Sequence, residues 1–113
     1  MMKFKSKETK GVTVIELSGN VMGGPDATAL NEQLHKLIGD NRKRVVIDLH
    51  DVKFINSSGL GMLIGGLTTM RNSGGELKLA CASKKIENLL QMTKLTKVFD
   101  VHEKVQDAVS AFK

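Results

Sequence analysis

Apolar side chains recur along this chain with two different periods, which divide it into predicted strands and helices. Residues 4–9 and 12–18 are interpreted as two strands joined at the Lys-Gly pair 10–11, which predicts an N-terminal β-hairpin. Residues 45–49, Val-Val-Ile-Asp-Leu, are almost continuously apolar, as strands in the interior of a sheet are. Residues 77–81, Leu-Lys-Leu-Ala-Cys, form an alternating run that predicts another strand. This part of the chain therefore contains four predicted strands.

Between these strands, apolar residues recur every three or four positions, which predicts helices that bury one face. Residues 19–25 are interpreted as a loop, and Pro25 with Asp26 suits the first turn of a helix that ends near Gly39. That helix would bury a stripe of aliphatic side chains: Leu30, Leu34, Leu37 and Ile38. A second stripe predicts a helix that stops at the Asn-Ser-Gly-Gly segment 72–75: Leu60, Leu63, Ile64, Leu67 and Met70.

The C-terminal part continues the alternation. Ser83 opens a predicted helix, residues 98–101 predict a short edge strand, and residues 105–112 predict a closing helix. The apolar positions of these two helices are Ile86, Leu89, Leu90, Val105, Ala108, Val109 and Phe112. Alternating strands and helices predict the α/β class, with right-handed crossovers. We expect one domain, residues 1–113, with a mixed, mostly parallel sheet of four to five strands and about four helices packed on it.

Composition narrows the function classes. A single cysteine, Cys81, excludes an internal disulfide and suggests a reduced residue in or beside a strand. No apolar stretch approaches the roughly 20 residues that cross a bilayer, and the N-terminus lacks a signal-peptide segment, so a cytoplasmic protein without membrane insertion is expected. The net charge is +5, but the lysines are dispersed and no aromatic residues interleave with them. This favours a solvated basic face, or a basic patch for an acidic protein partner, over direct nucleic-acid binding.

Motifs for catalysis and cofactors are missing from the sequence. His35, His50 and His102 are scattered, and no His, Cys and carboxylate cluster has metal-ligand spacing. The phosphate-binding loop of nucleotide hydrolases needs Lys-Ser or Lys-Thr after its last glycine, but Met62 follows Gly61. The serine-hydrolase elbow needs a glycine two residues before the serine, which is not found here. We therefore predict no catalytic residue, no metal, no cofactor and no enzymatic activity.

The segment 56–62, Asn-Ser-Ser-Gly-Leu-Gly-Met, has two adjacent serine hydroxyls at the predicted junction between a strand and a helix. Asn56 or Ser57 is expected to cap that helix, because their side-chain oxygens accept bonds from unpaired backbone N–H groups. Gly61 and Gly65 each cost up to about 1 kcal/mol relative to alanine, so we expect another backbone to approach them closely. Without further information, the two serines are interpreted as structural caps.

Three stretches carry a resemblance to a known family: 46–49 (Val-Ile-Asp-Leu), 54–61 (Phe-Ile-Asn-Ser-Ser-Gly-Leu-Gly) and 74–77 (Gly-Gly-Glu-Leu). Together they resemble a STAS domain of the anti-sigma factor antagonist (anti-anti-sigma factor) type. The spacing of the later apolar residues is also similar to that family. The resemblance covers nearly the whole chain and implies the STAS-like α/β fold.

The resemblance also implies a function. Such proteins are small bacterial switches in transcription regulation, with no activity of their own. The unphosphorylated form binds an anti-sigma factor that is a serine kinase, and so releases the sigma factor. Phosphorylation of the serine matching Ser57 switches binding off, and a serine phosphatase later restores it. Ser58 is the second choice as phosphorylation site.

The resemblance implies a partner-binding surface around this serine, built from two segments. Its predicted residues are Asn56, Ser57, Ser58, Gly59, Leu60, Met62, Gly23, Gly24 and Asp26. Two positions depart from the family pattern: Asn56 stands where many members have Asp, and Asp26 aligns with the family's loop acid only after a shift. An alternative from another class is a constitutive STAS scaffold subunit of a lipid-transport ATPase complex. It would use the same surface without phosphate chemistry.

Overall fold

The computed structural model describes residues 2–112, apart from the side chain of Thr96. The strands are β1 (Lys3–Thr9), β2 (Val12–Val21), β3 (Arg44–Ile55), β4 (Glu76–Ala80) and β5 (Val101–His102). The helices are α1 (Pro25–Gly39), α2 (Ser57–Asn72), α3 (Lys84–Met92) and α4 (Val105–Ser110), and one 3-10 turn spans Leu95–Lys97. This order confirms the predicted alternation of strands and helices.

The five strands form one mixed sheet with the order β1-β2-β3-β4-β5. The N-terminal hairpin pairs β1 with β2 in antiparallel fashion. The pairs β2–β3, β3–β4 and β4–β5 are parallel. Each parallel connection contains a helix, as a crossover between parallel strands requires. The predicted α/β class and mostly parallel sheet are therefore confirmed.

The two faces of the sheet carry cores of different size. Because side chains alternate along a strand, Val45, Ile47 and Leu49 of β3 face the larger core, which includes buried residues of α1, α2 and α3. Val46 faces the smaller core, where Ala108 and Val109 of α4 pack. Burial on both faces explains why β3 has an almost continuous apolar run.

Two strands extend further than predicted. The expected loop 19–25 is wrong in its first part, because β2 continues to Val21 with irregular pairing near Gly19, whose φ is 86°. These bulge-like shifts interrupt the alternation and hide the strand in the sequence. β3 likewise continues to Ile55, so Phe54 lies in a strand and is 44% exposed rather than packed on the core.

The predicted edge strand 98–101 is wrong in its first three residues. Val98 and Phe99 donate backbone hydrogen bonds to the Leu95 carbonyl, at 3.0 and 2.9 Å, and so continue the 3-10 turn. The strand itself is Val101–His102, paired with β4. Phe99 is buried, 3% exposed, and its apolar character therefore reflects packing of the turn rather than a strand.

Candidate functional site: the Ser57 turn

The site lies at the edge of the sheet where β2 and β3 end. These strands are parallel, and their last residues, Val21 and Ile55, are paired. The segments that follow them therefore emerge side by side, and each leads into the N-terminus of a helix. The carboxyl ends of parallel strands are the usual location of binding sites in open α/β sheets.

Asn56 is the residue that caps α2. Its backbone is extended, and its side-chain oxygen accepts a hydrogen bond of 2.7 Å from the backbone N–H of Gly59. This settles which of the two predicted residues is the cap. Ser57 and Ser58 follow as the first two residues of the helix, and both side chains are exposed. Within residues 2–112, no hydrogen bond engages either serine hydroxyl.

Gly59 is the point where the start of α2 touches the end of β2. A Cβ at this position would overlap the carbonyl oxygen of Val21. That carbonyl also accepts a hydrogen bond of 3.3 Å from the backbone N–H of Asn56. The turn is thus held against the neighbouring strand by backbone contacts that leave no room for a side chain at Gly59.

The segment between β2 and α1 covers one side of the turn. Gly23 is buried with φ of 82°, and a Cβ there would lie 2.9 Å from the Ser58 Cβ. Gly24 has φ of 63° and precedes α1 without a side-chain cap. Asp26, half-buried, lies in the first turn of α1. Of the two serines, Ser58 therefore lies against the Gly23 loop.

The remaining predicted partner residues lie under the turn. Gly59 is buried, and the side chains of Leu60 and Met62 are 4% and 7% exposed. Both side chains belong to the larger core. Because both are buried, they contribute to core packing rather than side-chain surface for a partner. The accessible part of the predicted surface is Asn56, Ser57, Ser58, Gly24 and the partly exposed Asp26.

The expected close approach at Gly61 and Gly65 is wrong. Both are exposed, and a Cβ at either would meet no atom within 4 Å. The tight glycines of α2 are Gly59 and Gly66, where a Cβ would lie 3.1 Å from Leu34 Cδ1 of α1. Spacing along the sequence alone did not reveal which glycines face a neighbour.

The turn is electrically neutral. Residues 54–70 contain no acidic, basic or histidine side chain, and the first turn of α2 carries no acid. The N-terminus of a helix has a partial positive charge and unpaired N–H groups, which favour an anion. An anionic group attached to this turn would therefore be the first full charge in the segment, placed where the helix accepts it.

Metal and thiol chemistry have little support among the described residues. In residues 2–112, no group of three His, Cys, Asp or Glu side chains is arranged to hold a metal ion. None of the helices described in this range is long and apolar enough to cross a membrane. Cys81 lies just after β4 with φ of 61°, and burial, followed by the nearby charge of Asp48, raises the pKa of its thiol above 9.0. The thiol is therefore a poor nucleophile at neutral pH.

Comparison with known proteins assigns the family. The model of the STAS domain matches residues 3–108, and the chain belongs to the STAS domain family. The anti-sigma-B factor antagonist of Bacillus subtilis (strain 168) is 30% identical over 97 residues, which are 83% of this chain and 88% of that protein.

Two solved structures share the fold. An anti-sigma factor antagonist from Mycobacterium paratuberculosis superposes with a TM-score of 0.82 at 24% identity, over 98% of this chain and 93% of that one. The Bacillus cell fate determinant SpoIIAA in its phosphorylated form has a TM-score of 0.73 at 17% identity, over 98% of this chain and 100% of that one. These similarities confirm the predicted STAS-like fold.

Proposed function

We propose that this chain is an anti-sigma factor antagonist controlled by phosphorylation of Ser57. Its unphosphorylated form would bind an anti-sigma factor serine kinase in the cytoplasm and release the sigma factor. The single observation that carries this proposal is the exposed Ser57 hydroxyl, which follows the cap residue Asn56 and makes no hydrogen bond within the described residues. The names of the curated relatives and the fold shared with phosphorylated SpoIIAA support it.

The physical argument for a switch is that phosphorylation changes the surface and leaves the fold intact. A phosphoserine adds about −1.5 to −2 charges at pH 7, and the α2 N-terminus accepts an anion without rearrangement. In a protein contact, the same dianion must be desolvated and would repel acidic partner groups. Losing about 3 kcal/mol would weaken binding roughly a hundredfold, enough for a switch with no enzymatic activity in the antagonist itself.

Ser57 is preferred to Ser58 as the acceptor because of the Gly23 loop. Gly23 lies against the Cβ and backbone of Ser58, so a phosphate there would compete with the loop for space. Ser57 has no such neighbour among the glycine contacts of this loop. Modification of Ser57 is therefore compatible with an undisturbed turn, and a serine phosphatase would have access to it.

The test has two parts. Intact-mass and fragment mass spectrometry of the protein from its own cells, in growing and stressed cultures, should find a phosphate on Ser57 that varies with condition. Calorimetry with the anti-sigma factor kinase of the same genome should find binding about a hundredfold weaker for Ser57→Asp and unchanged for Ser57→Ala. Ser6→Asp places the same charge on an exposed serine of β1 and should bind as tightly as wild type.

Equal binding by wild type and Ser57→Asp, together with an unmodified Ser57 in every culture, would overturn the switch. Copurification with an ATPase and permease set under those conditions would instead support the scaffold function. Binding weakened equally by Ser57→Ala and Ser57→Asp would mean that the hydroxyl is only a contact, and it would remove the regulatory part of the proposal.

A further inference from the structure

A shallow groove lies between the end of β3 and one face of α3, and it adjoins the Ser57 turn along the chain but shares no residue with it. Its volume is about 300 Å³, and it is open to solvent on one side. The residues that matter for its chemistry are Lys53, Phe54, Lys85, Leu89 and Met92. None of them belongs to the surface around Ser57 described above.

The groove exposes large apolar side chains that the core does not use. The described residues include four exposed large hydrophobic side chains, and two of them, Phe54 at 44% and Met92 at 81%, line this groove. Leu89, half-buried, lies between them in the lining. Contiguous exposed apolar surface with a polar rim is typical of a protein interaction site, whereas single exposed hydrophobic residues are ordinary.

The rim of the groove is basic. Lys53 and Lys85 line it and are exposed, and its lining contains no acidic side chain. Among residues 2–112, neither lysine forms an ion pair, unlike Lys7 and Lys78. The acid of the α3 first turn, Glu87, is not part of the lining. Long lysine stems cover apolar surface while their charged ends stay in water, so both ends are available to a partner.

The shape favours a protein segment. The lining residues of α3 are spaced by three and four positions, from Lys85 to Met92, so they form one helix face about 10 Å long at 1.5 Å per residue. The volume of about 300 Å³ is at the lower limit for small-molecule pockets, which are also mostly concave and enclose their ligands. A few side chains from an amphipathic segment match both the size and the open side.

We propose that this groove docks an acidic amphipathic segment of a partner protein. The apolar side chains of that segment would pack on Phe54, Leu89 and Met92, and its carboxylates would face Lys53 and Lys85. The groove is continuous with the Ser57 turn through consecutive residues, since Phe54 and Ile55 lead directly to Asn56. The docking itself does not depend on phosphorylation or on the proposed sigma-factor function.

The test uses the whole chain and two synthetic amphipathic helices that share one leucine stripe. One helix carries glutamates beside the stripe, and its twin carries lysines. Nuclear magnetic resonance titration of the labelled protein should shift the signals of Phe54, Leu89 and Met92 with the glutamate peptide. We expect the glutamate peptide to bind at least tenfold more tightly than its twin, with affinity falling as salt is raised.

Matched variants locate the site. Met92→Glu and Lys85→Glu should each weaken the glutamate peptide at least fivefold, and both residues are exposed, so the fold is not at risk. Met22→Glu changes another exposed methionine, 45% exposed and outside the groove, and Lys5→Glu reverses an exposed lysine on β1. Both controls should bind as wild type does.

Several results would overturn the proposal. Equal binding of the two peptides, or binding unaffected by Met92→Glu and Lys85→Glu, would exclude an acidic segment at this groove. A dimer in sedimentation that Met92→Glu disperses would assign the groove to a second copy of the chain. Binding to phosphatidylglycerol vesicles that Lys85→Glu abolishes, with no peptide binding, would assign it to a lipid surface.

Discussion

Two turns lead from a parallel strand into a helix at the same edge of the sheet, and they use serine in different ways. After β4, Ser83 is itself the cap of α3, and its hydroxyl accepts a hydrogen bond of 3.3 Å from the Ile86 N–H. After β3, Asn56 is the cap and Ser57 is the next residue. The first hydroxyl is used by the fold, whereas the second is left available for chemistry.

The charges and contacts around the two turns also differ. The turn after β4 has Lys84 and Lys85 directly after its cap, and Cys81 donates a backbone hydrogen bond of 3.0 Å to His102 of β5. The turn after β3 lies in an uncharged segment and rests on the glycine contact to Val21. A single added charge therefore changes the Ser57 turn far more than the Ser83 turn, which suits the first for a switch.

The largest effect should come from Gly59, on which the Ser57 turn rests. Gly59→Ala places a methyl group against the Val21 carbonyl, and relieving the overlap should cost about 3 kcal/mol, at the upper end for overpacking. Gly61→Ala is the matched control, because a Cβ there meets open space and alanine gains up to about 1 kcal/mol in a helix. Urea unfolding followed by circular dichroism measures both. Equal stability of the two variants would contradict the described contact between α2 and β2.

This glycine pair also shows how far the sequence allowed prediction. Periodicity located the stripes of α1, α2 and α3, and the Asn-Ser-Ser-Gly segment located the turn, because both depend on local chain geometry. Which glycine of α2 faces a neighbour depends on where the end of β2 lies in space. That information is not local, so spacing along the sequence favours Gly61 and Gly65, whereas Gly59 and Gly66 make the contacts.

The groove was missed for a similar reason. Phe54 is large and apolar, which favours a core position, but it lies near the end of β3 with its side chain 44% exposed. Met92, at the last position of α3, is 81% exposed. Single-residue hydrophobicity does not distinguish these positions from core residues such as Ile55.

An intermediate effect should distinguish caps from free hydroxyls. Asn56→Ala and Ser83→Ala each remove a cap that accepts a backbone N–H, at a cost of about 1 kcal/mol. Ser57→Ala removes a hydroxyl without a described partner and should change the free energy of unfolding by less than about 0.5 kcal/mol. The three variants are compared in one urea series. A loss for Ser57→Ala as large as that for Asn56→Ala would give Ser57 a structural role and weaken its assignment as a modification site.

The smallest effect concerns the charge pair between Lys78 of β4 and Asp100, the residue before β5. A hydrogen bond of 2.6 Å from the Lys78 ammonium to Asp100 lowers the pKa of that carboxyl below 3.8. Partial burial opposes this by raising the pKa, and a hydrogen bond with His102 lowers it further. A depressed carboxyl pKa stabilises the fold above the unfolded value, and this contribution is lost as pH falls through the folded value.

Wild type should therefore exceed Asp100→Asn in stability at neutral pH by about 0.5 kcal/mol or less, because the carboxylate is half exposed. The difference should vanish in urea titrations carried out well below pH 3.8. The same pH series on Ser57→Ala should run parallel to wild type, since no ionisable side chain lies in residues 54–70 and, within the described residues, no hydrogen bond joins Asp26 to Ser57. A pH-dependent difference for Ser57→Ala would mean that a charged group reaches the turn after β3, and the contrast between the two turns would then be wrong.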